Sequence, residues 1–311
     1  MIRKDYILDR WVYYAPYRKK RPNEFKNVYT KTESKSCLFC PSNEKLTPLE
    51  LGRLEYKGSW KMRWFLNKFP VAERKGNKKS GKKKFLAEED SYGVHEVVVE
   101  TNHHKSQLAD LPVSHIRELL EVYKFRIKDL GRIKGIEYVQ VFKNHGKDAG
   151  TSLTHSHSQI TALPKIPALV AEEIKAIKQH KKCPYCEIIK LESKSKRKIF
   201  ETKNVAAFAP FASRFNYEAW IFPKQHRKTL EELNDAELTD LAAAMKKILS
   251  KLKKINASYN MYIHYSPAKE NLHFHIEIAP RIANWGGFEF STNFIINSVM
   301  PEDAARFYRG R

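Results

Sequence analysis

Short stretches in which β-branched or aromatic residues alternate with polar ones recur along the chain, and each predicts a β-strand. In the first half these stretches are HEVVVET (95–101), EYVQVF (137–142) and HSHSQITAL (155–163). In the second half they are NVAAFA (204–209), EAWIFPK (218–224), YNMYIHY (259–265) and HFHIEIAPR (273–281). The chain lacks both a β-α-β rhythm and a GxGxxG motif, so we expect mostly antiparallel sheets rather than a Rossmann fold.

Between the strands of each half, apolar residues recur every three to four positions, which predicts an amphipathic helix. The first helix is expected to begin at a Ser114 cap and to run to about Arg132. The second is expected to begin at Asn234, with Glu237 completing a capping box, and to run to about Lys254. A further helical stretch at 168–182 reads as a linker between the halves.

The order of these parts is the same in both halves, which indicates an internal repeat. HKSQLADL (104–111) and HRKTLEEL (226–233) share the spacing H-x3-L-x2-L. The next paired histidines follow at similar intervals, 51 residues from His104 to His155 and 47 from His226 to His273. We therefore expect an α+β protein with flanking helices, built from a catalytic unit at 1–166, a linker at 167–182 and a second unit at 183–311.

Composition and charge narrow the class of protein. A hydrophobic content of 42% favours a folded globular chain, and we expect neither a membrane span nor a signal segment, hence a cytoplasmic protein. The net charge of +22 attracts polyanions such as nucleotides, sugar phosphates or nucleic acid. The basic run RKGNKKSGKKK (74–84) contains no aromatic residue for base stacking, which favours a solvated, mobile loop over a nucleic-acid patch.

Two Cys-x-x-Cys pairs, one in each half, are typical of a metal knuckle or of a redox couple. Zinc in a structural site takes four ligands such as two thiolates and two imidazoles. The repeat selects the histidines that would complete two structural Zn²⁺ sites. The predicted sets are Cys37, Cys40, His104 and His155 in the first unit, and Cys183, Cys186, His226 and His273 in the second.

The alternation in HSHSQ places His155, His157 and Gln159 in one row on one face of a strand. With His155 assigned to the metal, His157 remains for chemistry. The preceding GKDAGTS loop contains two glycines and Ser152, which can present backbone N–H groups and a hydroxyl to a phosphate. An imidazole fixed beside such a loop can attack phosphorus and carry a nucleotidyl group covalently.

The stretch NHGKDAGTSLTHSHSQI (144–160) resembles the signature of the galactose-1-phosphate uridylyltransferase family, the transferase branch of the histidine-triad proteins. In that signature H-x-H-x-Q replaces the H-x-H-x-H of histidine-triad hydrolases. Further segments are similar to the same family in the same order, namely YRKKRP, CLFCPSNE, FLNKFP, ETNHHKSQLADL and GGFEFSTNFIINSVMPEDAA. The two knuckles also resemble the ADP-glucose phosphorylase relatives. The resemblance implies two tandem histidine-triad-like units.

The resemblance also implies an activity, the ping-pong exchange of a nucleoside monophosphate between a nucleotide-sugar and a sugar 1-phosphate. His157 would be the nucleophile and Gln159 would bind the phosphoryl oxygens. The other implied substrate-binding residues are Arg18 and Arg21 for phosphates, Asn67 for the nucleoside, Asn144, Gly150, Thr151 and Ser152 for the phosphate loop, and Glu289 for sugar hydroxyls. Relatives of this kind are implied to be homodimers whose active sites draw on both subunits.

Several alternatives stay open at this point. Lys68 follows Asn67 where the uridylyltransferases commonly carry Asp, so the base is open, and FEFSTNF near Glu289 leaves the sugar open. The acceptor can be a sugar phosphate or inorganic phosphate. Two other classes of protein compete, a histidine-triad hydrolase or nucleic-acid-end processor, and a non-catalytic zinc protein that binds RNA. Gln159 argues against the hydrolase because an amide cannot transfer a proton as histidine does.

Overall fold

The structure, a computed structural model, describes residues 1–20, 37–74 and 80–310. Its first half contains one long helix, α1 (Val113–Gly131), and nine strands: β1 (Ile2–Lys4), β2 (Trp11–Tyr14), β3 (Glu50–Tyr56), β4 (Ser59–Leu66), β5 (Ser80–Lys83), β6 (Leu86–Glu89), β7 (Val94–Val99), β8 (Tyr138–His145) and β9 (His157–Leu163).

The second half contributes the remaining elements. Its helices are α2 (Ala168–Ile177), α3 (Pro184–Ser193), α4 (Asp235–Lys254), α5 (Gly287–Thr292) and α6 (Pro301–Arg309). Its strands are β10 (Lys198–Glu201), β11 (Val205–Phe208), β12 (Ala219–Pro223), β13 (Tyr259–His264), β14 (His275–Pro280) and β15 (Ile295–Asn297). Within the described ranges, no helix combines the length and the apolar character that crossing a membrane requires.

One ten-stranded sheet holds both halves together, in the order β10-β11-β12-β14-β13-β8-β9-β7-β4-β3. All of its pairings are antiparallel. The halves meet at β8 and β13, where Asn144 lies opposite Asn260 and His145 opposite Tyr259. The strand order reads outward from this seam in the same way on both sides, which confirms the expected α+β class built from a repeated unit.

The two long helices contact each other and cover the sheet on either side of the seam. α1 packs against β8 and β9, while α4 packs against β11 and β12. Their buried positions follow the helical period, including Ile116, Leu119 and Tyr123 in α1 and Leu241, Met245 and Leu249 in α4. Burial of these apolar faces supplies most of what holds the helices in place, since helix propensity alone is weak.

The predicted N-terminal cap is confirmed for α4 and is wrong for α1. The Asn234 side chain accepts from the Glu237 N–H and Glu237 accepts from the Asn234 N–H, so the predicted capping box is confirmed. The Ser114 cap is wrong, because the cap position is Pro112, two residues earlier, which makes no side-chain cap bond. The Pro112 carbonyl already accepts from the His115 and Ile116 N–H groups, so Ser114 lies inside the first turn.

Other local expectations also need correction. The predicted linker helix ends at Ile177 rather than continuing to residue 182, and α3, not expected from the sequence, begins directly after Cys183. Part of the basic run forms β5, which pairs with β6 in a hairpin, rather than a solvated loop, and 75–79 lie outside the described residues. A small sheet β1-β2-β15 joins the two ends of the described chain, and its β2–β15 pair is parallel.

Candidate active site and metal centres

His157 begins β9, between β8 and β7, and its ring orientation is fixed by its own backbone. Its Nδ1 lies 2.8 Å from the carbonyl oxygen of His155, so Nδ1 carries the proton and donates it. The other ring nitrogen, Nε2, therefore keeps its lone pair. Burial lowers the pKa of His157, and the nearby Lys143 ammonium lowers it further, so the imidazole is neutral and nucleophilic.

The loop after β8 is shaped by two glycines. Gly146 has φ 83° and ψ 160°, a conformation open only to glycine, and a Cβ there would lie 2.2 Å from Ser258 Oγ. Gly150 has φ 80° and ψ 22°, and its N–H donates to the Lys147 carbonyl. The Gly150 N–H is thus used inside the loop in this conformation, while Ser152 stays exposed at its rim.

A cavity of about 540 Å³ lies between this loop and the start of β9. Its size suits part of a small-molecule ligand. His157, Asn144, Thr151 and Ser152 all line it, so the structure brings four of the predicted site residues together. The cavity is strongly basic because four lysines also line it: Lys105, Lys143, Lys147 and Lys253. Such a charge favours a phosphorylated ligand.

The second half of the chain supports the loop from across the seam. Asn260 Nδ2 donates to Asn144 Oδ1 and to the Ala149 carbonyl, both at 2.9 Å. Ser258 packs closely on Gly146. Neither residue was expected from the sequence, and only their place opposite β8 in the sheet reveals their role.

Gln159 lies next to Asn67, as the predicted site requires, and both contact a third residue that sequence reasoning missed. Gln159 Oε1 is 2.9 Å from His95 Nε2 and 3.4 Å from Asn67 Nδ2. His95 heads the stretch HEVVVET, which was read only as a strand. Its alternation with Val97 and Val99 was the available signal, since a buried histidine on an apolar strand needs a polar partner.

A buried ion pair lies beneath the nucleophile. The Lys143 ammonium bonds Glu100 Oε2 at 2.7 Å, Ser156 Oγ at 3.2 Å and the His157 carbonyl at 2.9 Å. Burial alone would raise the pKa of Glu100, but Lys143 and Ser156 more than offset this and hold it below its usual range. Both charges are almost fully buried, so each depends on the other.

The first predicted metal set comes together, with one ligand atom from each residue within 4.8 Å of the others. Its members are Cys37, Cys40, His104 and His155. His155 Nε2 donates to the Thr101 carbonyl at 2.7 Å, which leaves Nδ1 facing both cysteine sulfurs at 3.6 Å. A histidine held in this way is the usual form of a metal ligand. The donor set and its geometry therefore fit a metal ion.

The second predicted set repeats this arrangement with Cys183, Cys186, His226 and His273. His273 Nε2 donates to the Pro223 carbonyl at 2.9 Å, and His226 Nε2 lies 3.1 Å from Asn271 Oδ1. Both Nδ1 atoms again face a sulfur, that of Cys186. Burial raises the pKa of the Cys186 thiol to about 12, with the nearby Cys183 adding to the effect, so a cation is needed to hold these thiolates.

The first metal set is linked to His157, the predicted nucleophile, in two ways. The carbonyl of the ligand His155 accepts the proton of His157 Nδ1. The ring of Phe39, between the two cysteines of the first pair, packs edge-on against the His157 ring with centroids 5.3 Å apart. A metal bound there therefore fixes both the strand and one wall around the nucleophile.

His275 occupies the position in the second unit that corresponds to His157, but its surroundings differ. It is fully buried, with its ring stacked on Phe222 and near Tyr185. Its Nε2 lies 3.5 Å from Glu277 Oε1, and the Arg214 guanidinium neutralises that carboxylate. Together with Glu173 and His264, these side chains form a group compact enough for a cation. Three cavities of the described chain are lined by residues that include Lys105, His103 and Lys198, respectively. His275 lines none of these three.

The remaining predicted residues lie apart. Arg18 is exposed on a short 3-10 helix, and Glu289 Oε2 accepts from the Gly286 N–H at the start of α5. Within the described ranges, neither side chain makes a recorded contact with His157 or Gln159. Arg21 lies outside the described residues.

Comparison with known proteins defines the class to which this fold and site belong. Residues 2–167 match the family model described as galactose-1-phosphate uridyl transferase, N-terminal domain. Residues 182–283 match the model described as scavenger mRNA decapping enzyme C-term binding. The two halves thus match different models, although they repeat one unit.

Relatives match along nearly the whole chain. ADP-glucose phosphorylase of Arabidopsis thaliana is 35% identical, covering 99% of this chain and 92% of that protein. Galactose-1-phosphate uridylyltransferase of Thermotoga maritima is 32% identical, covering 99% and 97%. The crystal structure of the Arabidopsis phosphorylase with bound ADP-glucose superposes with a TM-score of 0.86 at 34% identity, covering 100% and 99%. The chain belongs to the galactose-1-phosphate uridylyltransferase family of nucleotidyltransferases, to which ADP-glucose phosphorylase is also related.

Proposed function

We propose that this chain transfers a nucleoside monophosphate from a nucleotide-sugar to a hexose 1-phosphate through a covalent intermediate on His157. The observation that carries the proposal is the ring geometry of His157. Its Nδ1–H donates to the His155 carbonyl, so a neutral Nε2 lone pair stands beside a basic, glycine-lined cavity.

In the first half-reaction the Nε2 lone pair attacks the α-phosphorus of the nucleotide-sugar. The bond from that phosphorus to the oxygen of the sugar 1-phosphate breaks, and the sugar 1-phosphate leaves with the bonding electrons. No proton has to move, because Nδ1 keeps its hydrogen. The ring becomes positively charged in the intermediate, and the His155 carbonyl at 2.8 Å stabilises that charge.

In the second half-reaction a phosphate oxygen of the acceptor attacks the same phosphorus. The nitrogen–phosphorus bond breaks, its electrons return to Nε2, and a new nucleotide-sugar leaves. Gln159 hydrogen-bonds the phosphoryl oxygens but transfers no proton, which favours a waiting acceptor over water. This is why the transferase is preferred to the hydrolase. The transferase is also preferred to the non-catalytic RNA-binding alternative, because the lone pair of His157 Nε2 stands beside a cavity suited to a small phosphorylated ligand, and nucleic acid is therefore an unfavoured partner.

The likeness to ADP-glucose phosphorylase favours a second candidate for the acceptor, inorganic phosphate. The first half-reaction is unchanged, and attack by phosphate would release a nucleoside diphosphate. Lys68, in place of the aspartate common in uridylyltransferases, leaves the adenine and uracil donors to be distinguished by measurement.

We assign Zn²⁺ to both Cys2His2 sets, since two thiolates and two imidazoles are its usual structural ligands. When bound, the ion would hold the two thiolates and two imidazoles together and would take no part in the reaction. The His155 side chain would bind the ion, while the His155 carbonyl accepts from His157 Nδ1 and so holds the His157 ring in place.

The proposed oligomer is a homodimer whose active sites take residues from both subunits. This is supported by Glu289, whose carboxylate accepts from the Gly286 N–H at the start of α5 and, among the described residues, does not hydrogen-bond Gln159. A dimer of this kind would let Arg18 and Glu289 of one subunit face the nucleotide-sugar held by the other.

Mass measurement of the intact chain tests the proposed function. Incubation with UDP-glucose or ADP-glucose should add the mass of one nucleoside monophosphate, and the donor that labels the chain identifies the base. His157→Ala should abolish the adduct, while His275→Ala, its counterpart in the second unit, should still form it. Labelling of folded His157→Ala, or no labelling of wild-type protein by either donor, would contradict the proposal.

A further inference from the structure

The two ends of the Gln159 amide are chemically different, and the oxygen end is already occupied. Gln159 Oε1 lies 2.9 Å from His95 Nε2 and accepts a longer bond from Asn67 Nδ2 at 3.4 Å. Strand β9 is antiparallel to β7, with Val97 opposite Gln159. His95 therefore reaches the amide from a diagonal position on the neighbouring strand.

The tautomer of His95 is set by the backbone on its other side. The Val71 N–H donates to His95 Nδ1 at 3.2 Å, so Nδ1 has no hydrogen. Burial lowers the pKa of His95, which is 4% exposed, and this keeps the ring neutral. A neutral imidazole that accepts at Nδ1 carries its proton on Nε2. The Nε2–H therefore donates to Gln159 Oε1 at 2.9 Å. Asn67 Nδ2 lies 3.3 Å from the same nitrogen but is itself a donor, because the Phe69 N–H holds Asn67 Oδ1 on the other side, so it makes only a contact there. Turning the Gln159 amide over would place a second donor against the Nε2–H.

We propose that His95 is a positioning residue that holds the Gln159 amide with its NH₂ group toward the substrate side of β9. The inference rests on the proposed function and adds a chemical role to it. Within the described residues, Gln159 Nε2 has no recorded partner, so this group is available as a donor. A donor stabilises the negative phosphoryl oxygens during transfer, whereas an amide oxygen in its place would repel them.

Two matched polar variants test this role. In His95→Gln the side-chain nitrogen reaches the place of His95 Nε2, so the donor to Gln159 is retained. In His95→Asn the side chain ends near Nδ1, so the contact with Val71 is retained and the donor is lost. We expect His95→Asn to slow adduct formation by roughly tenfold to a hundredfold, as small misplacements of site groups do. His95→Gln should stay within a few-fold of wild type, and both should keep their metal content.

A second measurement does not depend on activity. Nitrogen-15 NMR of labelled histidine in the wild-type chain should show His95 protonated at Nε2 and not at Nδ1. A proton at Nδ1, equal rates for His95→Asn and wild type, or equal impairment of the Asn and Gln variants would each overturn the inference. Failure of the proposed function is distinct, since wild-type protein would then form no adduct while the His95 tautomer could still be read.

Discussion

Gln159 differs from histidine in one respect that matters for the proposed intermediate, because an amide cannot deliver or remove a proton. We expect Gln159→His to raise hydrolysis of the nucleotide-sugar relative to transfer, since an imidazole there can assist water. The ratio of free nucleoside monophosphate to exchanged nucleotide-sugar measures this. Gln159→Asn, which keeps an amide and likewise cannot transfer a proton, serves as a control that should lower both products without changing their ratio. An unchanged ratio in Gln159→His would show that Gln159 does not protect the intermediate.

Lys143 offers a second test on a single side chain. Lys143→Met leaves the fully buried Glu100 carboxylate without its counter-ion, and losing one partner of a buried pair costs about 3–5 kcal/mol of unfolding free energy. Adding Glu100→Gln removes the remaining charge, so the double variant should be more stable than Lys143→Met alone. Urea unfolding of both variants measures the difference. Equal stability would mean that Lys143 contributes by packing instead of by charge.

The loop between β8 and β9 shows how one backbone element depends on its glycines. Gly146→Ala meets both a glycine-only conformation and the close Ser258, whereas Gly150→Ala meets only left-handed strain, with nothing within 4 Å. We expect Gly150→Ala to cost roughly 1–2 kcal/mol and Gly146→Ala clearly more. Gly146→Ala should also slow adduct formation, because relieving the contact shifts the loop away from His157.

Urea unfolding and the rate of adduct formation, measured for both alanine variants, separate these effects. If the two variants lost equal stability, the contact between Gly146 and Ser258 would have no energetic weight. The second half of the chain would then support the loop through the Asn260 hydrogen bonds and not through Ser258.

The whole molecule contains two Cys2His2 sets, each compact enough for a metal ion, and their links to the candidate site are unequal. We expect elemental analysis to find two zinc ions per chain, and one in each of Cys37→Ser and Cys183→Ser. Both variants should lose stability, because a structural zinc contributes folding energy. Only Cys37→Ser should also slow adduct formation, since Phe39 and the His155 carbonyl connect that centre to His157.

One zinc ion in the wild-type chain would exclude one of the two sets. A folded Cys183→Ser variant with a larger loss of adduct formation than Cys37→Ser would show that the second centre, and not the first, positions the nucleophile.

Local spacing predicted those parts of the site whose members lie close along the chain or repeat in it. The row His155, His157 and Gln159 follows from strand alternation, and the duplicated order of Cys-x-x-Cys, single histidine and H-x-H identified both metal sets before any fold was known. The Asn234 capping box is likewise a local signal. The Ser114 cap failed because the helical hydrogen bonds begin at the Pro112 carbonyl, which places Ser114 inside the first turn.

What the amino-acid sequence alone determined was thus the repeat, the α+β class, the two Cys2His2 sets and the candidate nucleophile, because each depends on residue type at a fixed spacing. What the tertiary structure decided was the surroundings of that nucleophile. His95 meets Gln159, Lys143 meets Glu100, and Asn260 meets Asn144 only because strands far apart in the chain become neighbours in one sheet. The tertiary structure also distinguished His157 from its counterpart in the repeat, His275. The two histidines have the same spacing in the sequence, but their burial and neighbouring charges depend on how the entire chain packs.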